Sequence, residues 1–247
     1  MLESLSLFWN DYGGVLLEGL RDTLLMTGIS TVFAYLLGLP LGVALTLVQP
    51  HGIRPHKALY RILDWVVNIG RSLPFIILLV ALLPFTRLVM GTAIGVKGAI
   101  VPLVISAAPF IARMVETSLA EVDAGVVEAA RSMGASTLQI VYKVYLPEAM
   151  PSLVLGGAIS IVTILAYTAI AGAVGAGGLG DIAIQYGHSR GITSVMWATV
   201  VLLIALVQAI QLLFNYLTKR IDKRLDQSAA STGRNLSGLF ARFSHTK

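Results

Sequence analysis

The chain has 247 residues, 56% of them hydrophobic and only 13% charged, with a mean hydropathy of +0.80 and a formal net charge of +5. That is roughly half the charge of an average soluble domain, so a bilayer is the expected solvent. The absence of cysteine excludes disulfides, thiolate metal sites and cysteine nucleophiles, and the basic residues gather beside apolar runs and not along one polar face, which argues against nucleic acid as a partner.

Residues 1–22 mix Phe8, Trp9 and Tyr12 with Glu3, Asp11 and Glu18, the composition of an interfacial helix with aromatic anchors. The segment offers no basic n-region and no small-residue cleavage site, so no cleavable signal is expected and the first span stays in the mature protein. Residues 23–48 carry no charge and exceed the ~20 residues needed to cross a hydrocarbon core, giving span one. Within it, Gly38-Leu39-Pro40-Leu41-Gly42 reads either as a kink or, more simply, as close helix packing through small residues. His51, Arg54, His56, Lys57 and Arg61 then form a basic loop, the mark of the cytoplasmic side.

Span two is expected over 63–83. Asp64, Asn68 and Arg71 fall on one helical face of it. An arginine inside a span lines an interior, a cavity or a partner, which makes Arg71 and the adjoining Ser72 candidates for a translocation path. The plainer reading pairs Arg71 with Asp64 or with helix-end carbonyls, and the two stand side by side. Span three, 98–119, is short in its purely apolar part and is expected to run on as one helix out of the membrane. Residues 120–148 are too polar to span.

Span four covers 150–174, with Pro151 placed at a helix start. Ser160, Thr163, Tyr167 and Thr168 recur along it as a polar stripe, of which Ser160, Thr163 and Tyr167 are candidates for the path. Against that stands the habit of membrane-helix hydroxyls of bonding the preceding turn. Gly175-Ala176-Gly177-Gly178-Leu179-Gly180 spells G-x-G-x-x-G but follows a long apolar helix and not a strand, so a dinucleotide fingerprint is rejected. The stretch to Gly191 is expected to be a flexible outer connection or lid. Span five, 192–217, precedes Lys219, Arg220, Lys223 and Arg224, a second cytoplasmic mark. Five spans put the N-terminus outside and the C-terminus inside, and 220–247 is expected to be a basic, disordered tail.

The polar segment from Glu128 to Pro147 carries the strongest pattern: Glu128-Ala129-Ala130, then Gly134, then Val144, Leu146 and Pro147. Capping signals predict a short helix over 125–133, a left-handed stop at Gly134, and a second helix opened by Ser136 with Gln139 three residues on and ended at Leu146-Pro147. Small side chains at Ala129 and Ala130 leave one face of the first helix bare for a partner's groove.

This pattern resembles the cytoplasmic EAA loop of ABC importer permeases, with Val144 in place of the usual Ile. Arg71-Ser72-Leu73-Pro74-Phe75-Ile76-Ile77-Leu78-Leu79 and Gly177-Gly178-Leu179-Gly180-Asp181 resemble the methionine-importer branch, and the similarity extends over residues 20–219. The resemblance implies an all-α, five-helix type I importer permease of the bacterial inner membrane. It implies that Glu128, Ala129, Ala130, Gly134, Val144, Leu146 and Pro147 couple it to a separate ATPase. It also implies two copies of the chain, two ATP-binding cassette subunits that hold ATP and Mg, an extracytoplasmic substrate-binding protein, and methionine of either hand as the solute. The residues themselves agree on one point: no G-x-x-x-x-G-K-[ST] phosphate loop occurs, so no cofactor is expected in this chain, and His51, His56, His188 and His245 lack metal-ligand spacing. A self-sufficient secondary transporter or channel, and a membrane scaffold that docks a soluble enzyme, are the alternatives; the first calls for embedded carboxylates, of which Asp64 alone qualifies.

Overall fold

A computed structural model describes residues 2–221, all helical or connecting, with no strand among them. The tail expected to be disordered lies, from residue 222 on, outside the described residues. Helix α1 runs from Leu2 to Val48 without interruption. The boundary expected near Asp22 is not a break, because nothing between Glu18 and Thr23 interrupts helical hydrogen bonding. At 1.5 Å per residue α1 is about 70 Å long, more than twice a hydrocarbon core.

The span expected over 63–83 is two helices. α2 (Lys57–Ser72) and α3 (Phe75–Met90) meet at 105°. The cause is Pro74, which pushes the preceding Leu73 into extended geometry (φ −84°, ψ 126°) and restarts a helix beyond it. At the other end of α2, the Nδ1 of His56 accepts the backbone N–H of Leu59 at 3.1 Å, so this histidine caps α2.

α4 (Gly95–Ala120) is continuous, as its sequence predicts, and is the buried axis of the protein. α1 lies along it. A Cβ added at Gly38 would fall 2.8 Å from the Ala108 carbonyl oxygen, and one at Gly42 2.5 Å from that of Ala112, which makes the 38–42 stretch a small-residue packing face. Leu45, Val67 and Ala112 close the junction of α1, α2 and α4.

α8 (Met150–Gly172) packs on α4 and on α10 (Thr193–Ile221), whose residues other than Val195 and Thr199 all keep some exposure. Between them the chain is not a flexible lid. α9 (Gly178–Ile182) and a π-helical stretch over Ala183–Ser189 fold back on the membrane helices, and the Leu179 N–H donates to the buried Thr23 Oγ1 at 2.9 Å. Gly172 and Gly180 let α8 and α9 meet with no space for a side chain. α1, α4, α8 and α10 are each long and apolar enough to cross a membrane, and the bent α2–α3 pair makes a fifth broken span or a re-entrant turn.

Gly42→Leu is expected to force α1 off α4 and lower stability by roughly 1–3 kcal/mol. Gly14→Ala, where an added Cβ meets nothing within 4 Å, is not. Thermal unfolding of the detergent-purified chain distinguishes the two.

Candidate functional site

At the end of α4 the chain turns through 121–123 into α5 (Ala124–Ser132), whose first turn is capped by Asp123 accepting the Gly125 N–H at 2.6 Å. The stop falls where the sequence places it: Gly134 has φ +81°, which a side chain strains to adopt. The Ser136–Gln139 capping box is present in both directions, Gln139 N–H to Ser136 Oγ at 3.3 Å and Ser136 N–H to Gln139 Oε1 at 2.8 Å, and opens α6 (Thr137–Ile140).

The expected stop at Leu146-Pro147 does not occur. Val141–Tyr145 form a π turn, with the Leu146 N–H bonding the Val141 carbonyl five residues back, and α7 (Leu146–Glu148) follows directly and leads into α8. The wider turn absorbs the hydrogen bond that Pro147 cannot make, so the helical path continues where a proline in an α-helix would end it.

The segment has two faces. Ala130, Ile140, Val141, Tyr145 and Ala149 are buried against Ile111, Val115 and Leu119 of α4, with Val144 and Leu146 packed on the same core. Ala130 therefore faces the chain's own interior, contrary to the expectation that both alanines are bared for a partner; Ala129 is exposed, as are Glu128, Gly134 and Pro147. Burial pushes the Tyr145 phenol above its ordinary pKa, so it stays neutral. The outward face adds residues that pattern reading overlooked: Val126, Met133, Leu138 and Tyr142 are exposed, Met133 by 82%. Behind α5 lies a recess of about 290 Å³ lined by His51, Val122, Val127, Glu128 and Arg131.

The five path candidates do not form one cluster. Ser160 is buried and donates to the Gly156 carbonyl at 2.8 Å, and Thr163 donates to that of Ile159 at 2.8 Å, the local bonding that hydroxyls make in membrane helices. Thr163 also lines a groove with Gln211 and Asn215 of α10. Tyr167 stacks on Phe75, ring centroids 4.5 Å apart and 5° from parallel, so it meets the chain just past the Pro74 break. Ser72 Oγ donates to the Asn68 carbonyl at 2.7 Å. Arg71 is exposed and makes no ion pair among the described residues, because Asp64 is engaged elsewhere.

That engagement is a polar network that the sequence reading, which placed residues 98–119 in span three, did not assemble. Arg113 donates to Asp64 Oδ1 at 2.5 Å, to Glu116 Oε2 at 2.6 Å and to Asn68 Oδ1 at 3.1 Å. Asn68 in turn donates to Asp64 Oδ2 at 3.0 Å, and the Tyr60 hydroxyl reaches Glu116 Oε1 at 3.5 Å. Glu116 is buried with its side chain 8% exposed. The signal available was the Arg-x-x-Glu spacing at 113 and 116, which puts both on one turn of the apolar helix.

With this geometry in place, comparison with known proteins is decisive. Residues 34–227 match the family described as binding-protein-dependent transport system inner membrane component. The chain belongs to this family.

The permease is 50% identical over 210 residues, 85% of its own length and 93% of the relative's, to the probable D-methionine transport system permease protein MetI of Vibrio cholerae. It is 51% identical over 158 residues, 64% of its length and 73% of the relative's, to the D-methionine transport system permease protein MetI of Escherichia coli K12. Among solved structures, the native CY5 crystal form of the inward-facing MetNI methionine ABC transporter matches with a TM-score of 0.85 and 47% identity, covering 86% of this chain and 99% of that one. An amino acid ABC transporter crystallised with histidines matches at 19% identity with a TM-score of 0.70, covering 87% of this chain and 97% of that one, a likeness of fold. The permease thus has the type I ABC importer fold and is an inner-membrane transport subunit; the self-sufficient transporter and scaffold readings are not favoured.

Ser136→Ala removes one half of the capping box and is expected to cost the permease about 1 kcal/mol of local stability. Hydrogen exchange of the 137–148 amides is expected to quicken by about fivefold to tenfold, with the 100–115 amides unchanged.

Proposed function

We propose that this permease carries methionine, of either hand, across the inner membrane as one of two copies paired about a two-fold axis, each docked on an ATP-binding cassette subunit and served by an extracytoplasmic binding protein. The observation that carries the reading is the two-faced segment Glu128–Pro147, one side sharing a core with α4 and the other presenting Glu128, Ala129, Gly134 and Pro147 with Met133, Leu138 and Tyr142 around them. Exposed apolar side chains on a segment so firmly held fit a surface completed by another protein. Support for the solute comes from the relatives, named for D-methionine transport, and from the methionine transporter that the fold matches.

The orientation follows from charge. Arg54 lines a recess with Arg131 and Ser136, and Thr218, next to Lys219 and Arg220, lines one with Glu148, so basic residues gather near Glu128–Pro147, which supports a cytoplasmic place for that end. ATP and Mg belong to the partner subunits, and the permease contributes the path. Arg71 and Tyr167, near the Pro74 break, are the stronger path candidates; Ser72, Ser160 and Thr163, whose hydroxyls are already bonded within their own helices, are the weaker.

The test is uptake of labelled methionine into vesicles holding the permease with its ATPase and binding protein. ATP-dependent accumulation is expected; no accumulation beside active ATP hydrolysis would overturn the solute. The double variant Met133→Glu, Leu138→Glu is expected to weaken ATPase docking about thirtyfold, roughly 2 kcal/mol, measured by titrating labelled ATPase onto the purified permease. Glu128→Arg is expected to weaken it only severalfold, the scale of about 1 kcal/mol for a rim charge.

A further inference from the structure

We propose that Arg113 is a positioning residue that fastens α2 to α4, so that both helices travel as one unit when the coupling segment moves. The inference rests on the coupling role proposed above for Glu128–Pro147. Force on that segment reaches α4 directly, because Ala130, Ile140, Val141 and Tyr145 share one core with Ile111, Val115 and Leu119. Arg113 lies two turns back from the end of α4, about 10 Å along its axis.

From there the contact passes sideways. Tyr60, Asp64 and Asn68 recur every four residues and so line one face of α2, and all three bond to Arg113 or Glu116 of α4. Arg113 divides its guanidinium between Asp64 and Glu116, a fork that a lysine cannot reproduce. Sliding α2 past α4 would part Arg113 from Asp64 and Asn68 and the buried Glu116 from Tyr60, leaving Arg113 and Glu116 paired only within α4. The apolar junction of Leu45, Val67 and Ala112 beside it adds shape to the fastening.

Beyond Ser72 the chain bends: Leu73 is extended, and Phe75 and Leu79 of α3 share a core with Ala99 and Leu103 of α4, where Phe75 also stacks on Tyr167 of α8. α2 is thus held on α4 by polar bonds, and α3 by apolar packing nearer the start of the same helix.

The measurement is methionine taken up per ATP hydrolysed in vesicles holding the assembled complex. In Arg113→Gln the ratio is expected to fall about tenfold with ATP hydrolysis retained, and thermal stability is expected to drop because Glu116 loses its cation. Asp64→Asn, which leaves the Arg113–Glu116 pair in place, reads the same ratio should Arg113→Gln fail to assemble, and Asp64→Glu is expected to restore it. An unchanged ratio in a stable Asp64→Asn complex would overturn the proposal. Absence of ATP-dependent uptake with the unaltered permease would instead count against the function proposed above.

Discussion

Gly38 and Gly42 bring the backbone of α1 against the carbonyls of Ala108 and Ala112, and the rest of the structure depends on that contact. In lipid, apolar side chains gain little by touching one another, so helices associate where small residues permit close van der Waals packing. With α1 so close, α4 becomes an interior helix, and an interior helix can carry Arg113 and Glu116 at little cost because their partners come from neighbouring protein and not from lipid. The segment Glu128–Pro147 then inherits a rigid base, since its inward residues pack on the same helix.

The distribution of polar groups follows from the same arrangement. Hydroxyls on α8 bond carbonyls of their own helix, which satisfies them wherever the helix lies. Charged groups have no such local remedy. Asp64 has a choice between Arg71 on its own helix and Arg113 on α4, and it takes the one that is closed in by protein, leaving Arg71 exposed among the described residues.

Much of this was legible in the sequence where a short-range rule decides the outcome. Gly134 at positive φ, the Ser136–Gln139 box and the continuous helix through Ala120 are all settled within a few residues of themselves. The two prolines show where such rules end. Pro74 breaks a helix that hydropathy alone reads as one span, and Pro147 fails to break one because a π turn upstream changes which carbonyl is bonded. Arg113 and Asp64 are far apart in the chain, so their pairing is a property of the packing and invisible to any window. The fold of residues 175–191 was hidden for the opposite reason: its glycines read as flexibility, whereas they serve close approach to α8 and α1.

The π turn over Val141–Tyr145 also fixes a phase. A residue added to a helix without breaking it rotates everything beyond by about 100° relative to everything before. The stretch from Thr137 to Glu148 and α8 are nearly continuous, so that single extra residue decides which side of α8 faces α4 when Tyr145 is seated in the core. The interval from Gly134 to Pro147 is therefore a ruler: its length sets the angular register between the exposed face of the segment and the helix that crosses the membrane.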